Sequence, residues 1–380
     1  MAGIYENIIR PMMFGLDAET AHEIGLESLR LGLSTDVAQR IAAGKFGSPE
    51  FEGIERFGLR FANPLGIAAG FDKNGVVVHQ LAALGFGFVE VGTVTLNPQK
   101  GNEKPRLFRL PEHKALINRL GFNNDGAAVV ADRLKKLDKR CVVGVNIGRN
   151  KDVSNDDAVE NYLASFELVY DVADYVAVNI SSPNTPNLRE LQEGDNLDGL
   201  LKALQERNKG LSTARRRLSP NQEGLETRPQ NSKPLLVKIA PDLEESEIEM
   251  IVDTCLRHGI HGIIATNTTS GREGLTGPAV EKIGAGGLSG KPLADRSNHV
   301  ISSVFKYSKG KLSIIGVGGI FTADDAFQKI LAGASLLQAY TGFVYSGVSF
   351  ARTMNEGLLQ ILKTKGFAKL NDAVGSAVRS

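Results

Sequence analysis

Cysteine is scarce: Cys141 and Cys255 are the only two in 380 residues, and neither has a neighbour at CxxC spacing. A disulfide framework or a structural zinc site therefore lacks ligands, and a reducing compartment is expected. Net charge is also nearly absent, with 44 Lys and Arg against 43 Asp and Glu for a formal +1. No global field exists to gather nucleic acid or acidic substrates. No apolar run reaches the roughly 18 to 20 residues of a membrane span, and the first residues lack the apolar core of a secretion signal, so a chain that does not cross a bilayer is expected. What is present is 42% apolar and 23% charged residues with 42 glycines, the composition of a packed globular protein rich in tight turns.

From about residue 60 onward one grammar repeats: a short apolar, β-branched run, a polar or glycine-rich turn, then a helical pattern. Eight runs read as strands: Pro64–Ala69, Phe88–Thr93, Val142–Ile147, Tyr175–Ile180, Leu235–Ile239, Gly262–Thr266, Ser313–Val317 and Ser335–Ala339. Continuous apolar strands alternating with helices predict a parallel sheet covered on its outer face, and eight of them predict a closed α/β architecture, the (β/α)8 TIM barrel. Each run hands a small or polar residue to the same rim: Gly70 with Lys73, Thr93, Asn146, Asn179 with Ser182, Lys238, Thr266 with Asn267, Gly318 with Gly319, and Tyr340 with Thr341. Barrels of this kind build their active sites at that rim, so one buried site with many polar contacts is expected there.

Two stretches stand outside the repeat. Residues 1–47 read as a two-helix N-terminal extension to a barrel spanning 48–380; Ile4, Tyr5, Ile8, Ile9, Met12 and Met13 form one apolar stripe, Asp17 is an N-cap, and Ala21, Ile24, Leu26, Leu29 and Leu33 continue the apolar surface. Asn208 to Lys233 is polar and rich in Ser, Gln, Arg and Pro, and reads as a solvated excursion.

The chemistry-bearing motifs lie on the rim. GVGGIFTADDA (316–326) predicts a glycine turn followed by a helix capped by Thr322, and Tyr340-Thr341-Gly342 predicts a second exposed turn, together an anion site for a phosphorylated ligand. A dinucleotide fingerprint fails because GVGGIF lacks the last glycine of GxGxxG; a Walker loop fails because Ala285 and Pro292 stand where glycine and Ser or Thr are required. Asn179 and Asn184 in NISSPNTP (179–186) offer paired amides suited to a planar ligand with carbonyl, amide and carboxylate groups; the same segment also reads as an Asx turn stopped by proline. Ser182 is on no GxSxG elbow and has no spaced His–Asp pair, which disfavours acyl transfer. The rim lysines, Lys73 and Lys238, read equally as Schiff-base formers or as phosphate or flavin partners, with a structural ion pair as the third reading. The six histidines, His22, His79, His113, His258, His261 and His299, do not cluster, so no metal is expected. His22 alone lies on an N-terminal helix with an apolar opposite face.

Ten ordered blocks carry a family resemblance, among them AAGFDKNG (68–75), GTVTLNPQKGNEKPRLFRL (92–110), INRLGFNNDG (117–126), GVNIGRNK (144–151), NISSPNTPNLRELQ (179–192), LLVKIAPDL (235–243), GGLSGKPL (286–293) and GASLLQAYTGF (333–343). Over nearly its whole length the chain resembles class 2 dihydroorotate dehydrogenase, the membrane-associated, quinone-dependent class. The resemblance implies oxidation of (S)-dihydroorotate to orotate in pyrimidine synthesis, with FMN as cofactor and ubiquinone or menaquinone as acceptor. It implies FMN contacts at Ala68, Ala69, Gly70, Lys73, Thr93, Asn146, Asn179, Lys238, Thr266, Ser289, Gly290, Gly318, Gly319, Tyr340 and Thr341. It implies pyrimidine contacts at Lys73, Asn118, Arg119, Leu120, Gly121, Phe122, Asn179, Asn184, Asn267 and Thr268, and quinone contacts at His22 and Arg109. Ser182 takes the base position, with a proton relay through Thr185 and water near Phe122; class 1 enzymes, which use fumarate or NAD, carry cysteine there and lack the N-terminal helices. The implied location is peripheral, on the cytoplasmic face of a bacterial membrane or on the mitochondrial inner membrane of a eukaryote. A non-enzymatic barrel that binds a phosphorylated ligand is the competing reading, and it has no use for Ser182 or two rim lysines.

Overall fold

Eight apolar runs close into a ring in the computed structural model, which describes residues 2–218 and 232–379. The strands are β1 (Leu65–Ile67), β2 (Phe88–Val94), β3 (Val142–Ile147), β4 (Tyr175–Asn179), β5 (Leu235–Ile239), β6 (Gly262–Ala265), β7 (Ser313–Val317) and β8 (Leu336–Ala339). Each pairs in parallel with its neighbours in sequence, and β8 pairs with β1 to close the barrel. All eight match the expected runs to within two residues at their ends. The (β/α)8 reading therefore holds, because strands buried on both faces need apolar side chains on both faces.

Glycine decides how the barrel is filled. A Cβ on Gly66 of β1 would lie 2.6 Å from the Phe88 ring, and one on Gly144 of β3 would lie 2.1 Å from the Tyr175 ring. Both rings are fully buried, so two aromatics occupy the space that two missing side chains leave.

The N-terminal segment contains three helical stretches where two were expected. Ala2–Ile4, Tyr5–Ile9 and Arg10–Phe14 run on as one rod with a π-helical middle, and Ala18–Gly32 and Asp36–Phe46 follow. Asp17 caps the second, its carboxylate accepting from the Glu19 and Thr20 amides at 3.0 and 3.1 Å. The third begins at a Thr35 cap, which the sequence reading passed over.

A second departure is a three-stranded antiparallel sheet of Leu107–Leu110, Ala115–Asn118 and Gly287–Gly290. It has its own small core of Leu110, Ala115, Ile117 and Leu288.

The polar excursion begins later than expected, because Gly194–Leu218 is one continuous helix. Asn208 is fully buried and its amide clasps Lys233, with N···O distances of 2.8 Å in both directions. The rest of the expected excursion, 219–231, lies outside the described residues.

Candidate active site

A cleft of about 1060 Å³ opens at the C-terminal rim of the barrel. Its walls bring together Ala68, Ala69, Gly70, Lys73, Thr93, Asn118, Leu120, Gly121, Phe122, Asn179, Ser182, Asn184, Lys238, Thr266, Asn267, Thr268, Ser289, Gly290, Gly318, Gly319, Tyr340 and Thr341. The antiparallel sheet forms one wall through Leu107, Leu116, Asn118, Ser289 and Gly290. Two expected residues stand elsewhere. Asn146 is fully buried behind the lining, where it accepts from Thr93 Oγ1 at 2.6 Å and donates to Glu90 Oε1 at 2.8 Å. Arg119 turns away from the cleft: its guanidinium donates to the Ile283 and Ala285 carbonyls and lies 4.5 Å from the Phe108 ring centroid.

The anion end is made by two turns. Gly319 has φ +75°, and a Cβ there would lie 2.4 Å from that of Ala294. The loop can thus take this path only with glycine. Thr322 caps the following helix as expected, in a capping box with Asp325. The Asp325 carboxylate, however, already accepts from the Phe321 and Thr322 amides at 3.0 and 2.9 Å. Donors for an anion must therefore come from Gly318, Gly319 and the Tyr340–Thr341 turn rather than from this helix start. The Ser289 and Thr341 hydroxyls, 2.9 Å apart, join the two sides.

Beneath the cleft sits a carboxylate that the sequence reading missed. Glu90 is fully buried inside the barrel and accepts from Asn146, Tyr175 Oη at 2.9 Å and Gln338 Nε2 at 2.7 Å. Lys238 is nine-tenths or more buried above it; burial lowers the pKa of its ammonium, and the Glu90 charge works against that shift. Gln338 lines the cleft with its amide oxygen buried and without a hydrogen-bond partner. A charged or amide residue inside an otherwise apolar strand (FVEVGT, SLLQA) was the available signal.

At the other end the asparagines are cross-linked. Asn184 Nδ2 donates to Asn118 Oδ1 at 3.0 Å, Asn267 Nδ2 to Asn179 Oδ1 at 3.1 Å, and Asn179 Nδ2 to Thr93 Oγ1 at 2.9 Å. Such a lattice fixes which donors and acceptors remain for a ligand, which is preorganisation. Ser182 Oγ accepts from the Asn184 amide at 3.3 Å, and Thr185 Oγ1 is buried with no partner. Phe122, at φ +52°, is a non-glycine residue in left-handed backbone, and Gly121 beside it packs against Asn102. Lys73 reaches the cleft but is otherwise enclosed by protein; burial lowers its pKa to about 8, the Glu19 carboxylate opposing.

The N-terminal helices meet the barrel next to this site. Burial tends to raise the Glu19 pKa, but the hydrogen bonds and charge of Arg106 outweigh it and hold the carboxyl below its ordinary value. Arg106 also donates to the Lys100 and Asn102 carbonyls at 2.6 and 2.7 Å, and Asn102 in turn donates to the Asn184 carbonyl. A helical residue is thereby tied to the loop that backs the asparagines. His22 lies edge-on to Phe71, ring centroids 5.1 Å apart, and Phe71 edge-on to Tyr340 at 5.7 Å. This aromatic chain leads from the helices to the cleft. The His22 Nε2 is buried without a partner; burial, and secondly the Lys73 charge, lower the pKa of the ring to about 3, so it is neutral. Arg109 is spent differently from expectation: its guanidinium donates to the carbonyls of Met13, Phe14 and Leu16 and so anchors the end of the first helix.

The residues present suit a flavin phosphate ester. The glycine turns offer amides to a phosphate, Lys238 offers a cation under a ring system, and the orphaned Gln338 oxygen suits a ring N–H. Among the described residues no cluster of three His, Cys, Asp or Glu could hold a metal.

Comparison with known proteins identifies the family. The family model for dihydroorotate dehydrogenase matches residues 54–362. A dihydroorotate dehydrogenase (quinone) from a Mycobacterium sp. (strain KMS) is 45% identical over 372 residues, covering 98% of each chain. One from Chloroflexus aurantiacus is 48% identical over 365 residues, covering 93% of this chain and 96% of the relative. The crystal structure of ligand-free DHODH from Eimeria tenella superposes with a TM-score of 0.82 at 38% identity, covering 96% of this chain and all of that one. The same enzyme in complex with ferulenol gives 0.78 at 40% identity, covering 92% and 96%. With a family model matched over most of the chain and relatives matched nearly end to end, the chain belongs to the dihydroorotate dehydrogenase family.

Proposed function

We propose that the chain oxidises dihydroorotate to orotate in pyrimidine synthesis with FMN in the cleft, Ser182 as the base and a quinone as final acceptor. Membership of a flavin-dependent family and full-length quinone-class relatives support the reaction. The observation that carries the finer reading is the convergence on one cleft of Ser182, Lys73 and the asparagine lattice at one end and Lys238 with the glycine turns at the other. A bound FMN supplies the two-electron acceptor that no side chain here can provide.

Dihydroorotate becomes orotate by losing a proton from C5 and a hydride from C6 as the C5=C6 bond forms. Lys73 and the asparagines hold the carboxylate and imide. Ser182 Oγ takes the C5 proton; the hydrogen bond from the Asn184 amide stabilises charge on that oxygen. Serine is a weak base and must pass the proton on. Thr185 Oγ1, three residues on in the same segment, is buried and unpartnered and takes that role in this reading. The pyrimidine seat extends over Leu120, Gly121, Phe122, Asn267 and Thr268, all of which line the cleft.

Residues 1–47 form the membrane and quinone-access unit beside the 48–380 barrel. Among the described residues eleven large hydrophobics are exposed, and nine of them, Ile4, Ile8, Ile9, Met12, Leu16, Ile24, Leu31, Val37 and Ile41, lie in this segment. So concentrated an apolar surface suits a lipid interface. No helix among the described residues is long and apolar enough to cross a membrane, which fits peripheral attachment. His22, neutral and with its Nε2 unpartnered, is the group this reading assigns to a quinone carbonyl, while Arg109 holds the end of the first helix.

Two outcomes follow. Lys238→Met is expected to weaken FMN retention and to lower the flavin midpoint potential by on the order of 30 to 60 mV, the equivalent of ~1.5 to 3 kcal/mol for a hydrogen bond to a charged group. Spectroelectrochemistry checks this, and an unchanged potential at full FMN occupancy contradicts it. Orotate affinity should be flat below neutrality and decline above about pH 8, because the charged Lys73 that a carboxylate needs prevails below its lowered pKa and is lost above it. The decline should approach ~10-fold per pH unit and vanish in Lys73→Gln, as read from flavin absorbance changes on orotate binding.

A further inference from the structure

Lys329 is a buried cation for which the chemistry at Ser182 has no use. It lies on the Ala323–Ala332 helix, is 1% exposed, and packs its stem against Gly316 of β7, where a Cβ would lie 3.4 Å from the lysine Cδ. Its ammonium donates to Ser297 Oγ and Asn298 Oδ1, each at 2.9 Å. Among the described residues no carboxylate lies within ion-pair distance of it. Asp325 and Asp295 act on it only from beyond that distance, and a buried cation without a contacting counter-charge is costly, a cost that a further anion nearby would offset. Burial lowers the pKa of this ammonium to about 7, with the Asp325 and Asp295 carboxylates opposing the shift and Lys291 adding to it.

The hydrogen bonds point to where the anion sits. Ser297 Oγ, having accepted from Lys329, donates to the Val317 carbonyl at 2.7 Å. That carbonyl belongs to the trans peptide joining Val317 to Gly318, in which C=O and N–H point in opposite directions. With the oxygen held by Ser297 and by the Thr266 amide of the neighbouring strand at 3.0 Å, the Gly318 N–H is turned to the other side. Gly318 and Gly319 line the anion end of the cleft, and Gly318 rests on Ser297, where a Cβ would lie 3.2 Å from the serine Cβ. Lysine, serine, peptide and glycine amide thus form a chain of aligned dipoles with its positive end buried and its donor end at the cleft.

We propose that Lys329 is a positioning residue for the phosphate of the cofactor, acting through Ser297 to orient and polarise the Gly318 amide and serving as the buried counter-charge of the phosphate. This rests on the reading of the cleft as an FMN site.

The test compares release of FMN with release of riboflavin, which lacks the phosphate, from full-length enzyme loaded with each, followed by the rise of free-flavin fluorescence on dilution. In Lys329→Met, FMN release should accelerate at least ~10-fold, about 1.4 kcal/mol, while riboflavin release stays within about twofold of wild type. Ser297→Ala, which keeps the charge and removes the relay, should accelerate FMN release about threefold and leave riboflavin unchanged. It decides the matter by itself if the lysine variant does not fold. Equal acceleration of both flavins, or no acceleration of FMN, overturns the proposal and reduces Lys329 to a packing residue. If wild type holds riboflavin as firmly as FMN, it is the phosphate reading of the cleft that fails.

Discussion

Replacing Ser182 by alanine is expected to slow reduction of the bound flavin by dihydroorotate at least ~100-fold, the lower end of what loss of a general base costs, with FMN still bound. Ser182 is 5% exposed, lines the cleft and, among the described residues, has no hydrogen bond to a carboxylate or imidazole. Its removal therefore leaves no group positioned to take over the proton. Retention of FMN follows because the anion turns and Lys238 lie at the opposite end. Stopped-flow absorbance under anaerobic conditions measures the rate, and reduction at the wild-type rate would show that the base is another group. Ser182→Cys should recover part of the rate, since a thiol in that place is the more acidic relay.

The second large effect concerns the membrane. Ile8 and Met12 are four residues apart on the N-terminal rod and are 56% and 71% exposed, so they share a face with nothing packed on it. An apolar side chain withdrawn into lipid gains on the order of 1.5 to 3 kcal/mol, and a carboxylate in its place is repelled by anionic headgroups. The double variant Ile8→Glu/Met12→Glu is expected to lose vesicle binding, with turnover of a vesicle-borne long-chain quinone down ~100-fold, equal to about 2.7 kcal/mol. Turnover with a water-soluble short-chain quinone should stay within a few-fold of wild type, because neither residue touches the cleft. A loss of equal size with both quinones would place the two side chains in electron transfer rather than attachment.

The barrel was legible because each strand is buried on both faces and so reads as an unbroken apolar run. The rim sheet was not, since Leu107–Leu110 and Ala115–Asn118 are only four residues long and stand outside the repeat of strand and helix. The outward turn of the Arg119 side chain has a related reason. Around a strand end, successive side chains point to opposite sides, so Asn118 and Leu120 line the cleft while Arg119 between them points out. That Asn146 stands behind Thr93 is not legible either, because a motif marks which residues travel together but not which of them stands behind another. Glu90 was passed over, although a carboxylate in the middle of FVEVGT can be buried only if the interior satisfies it. Arg106 was inside a quoted motif, yet its partner Glu19 lies 87 residues away, and no periodicity links a helix to a distant loop.

Anaerobic mixing of the purified enzyme with dihydroorotate, followed by addition of quinone, reads both halves of the reaction in one absorbance trace. One equivalent of dihydroorotate should bleach the flavin band and ubiquinone or menaquinone analogues should restore it, whereas fumarate and NAD should not. A flavin that dihydroorotate leaves oxidised, or one that fumarate or NAD reoxidises while quinones cannot, would contradict the proposed function.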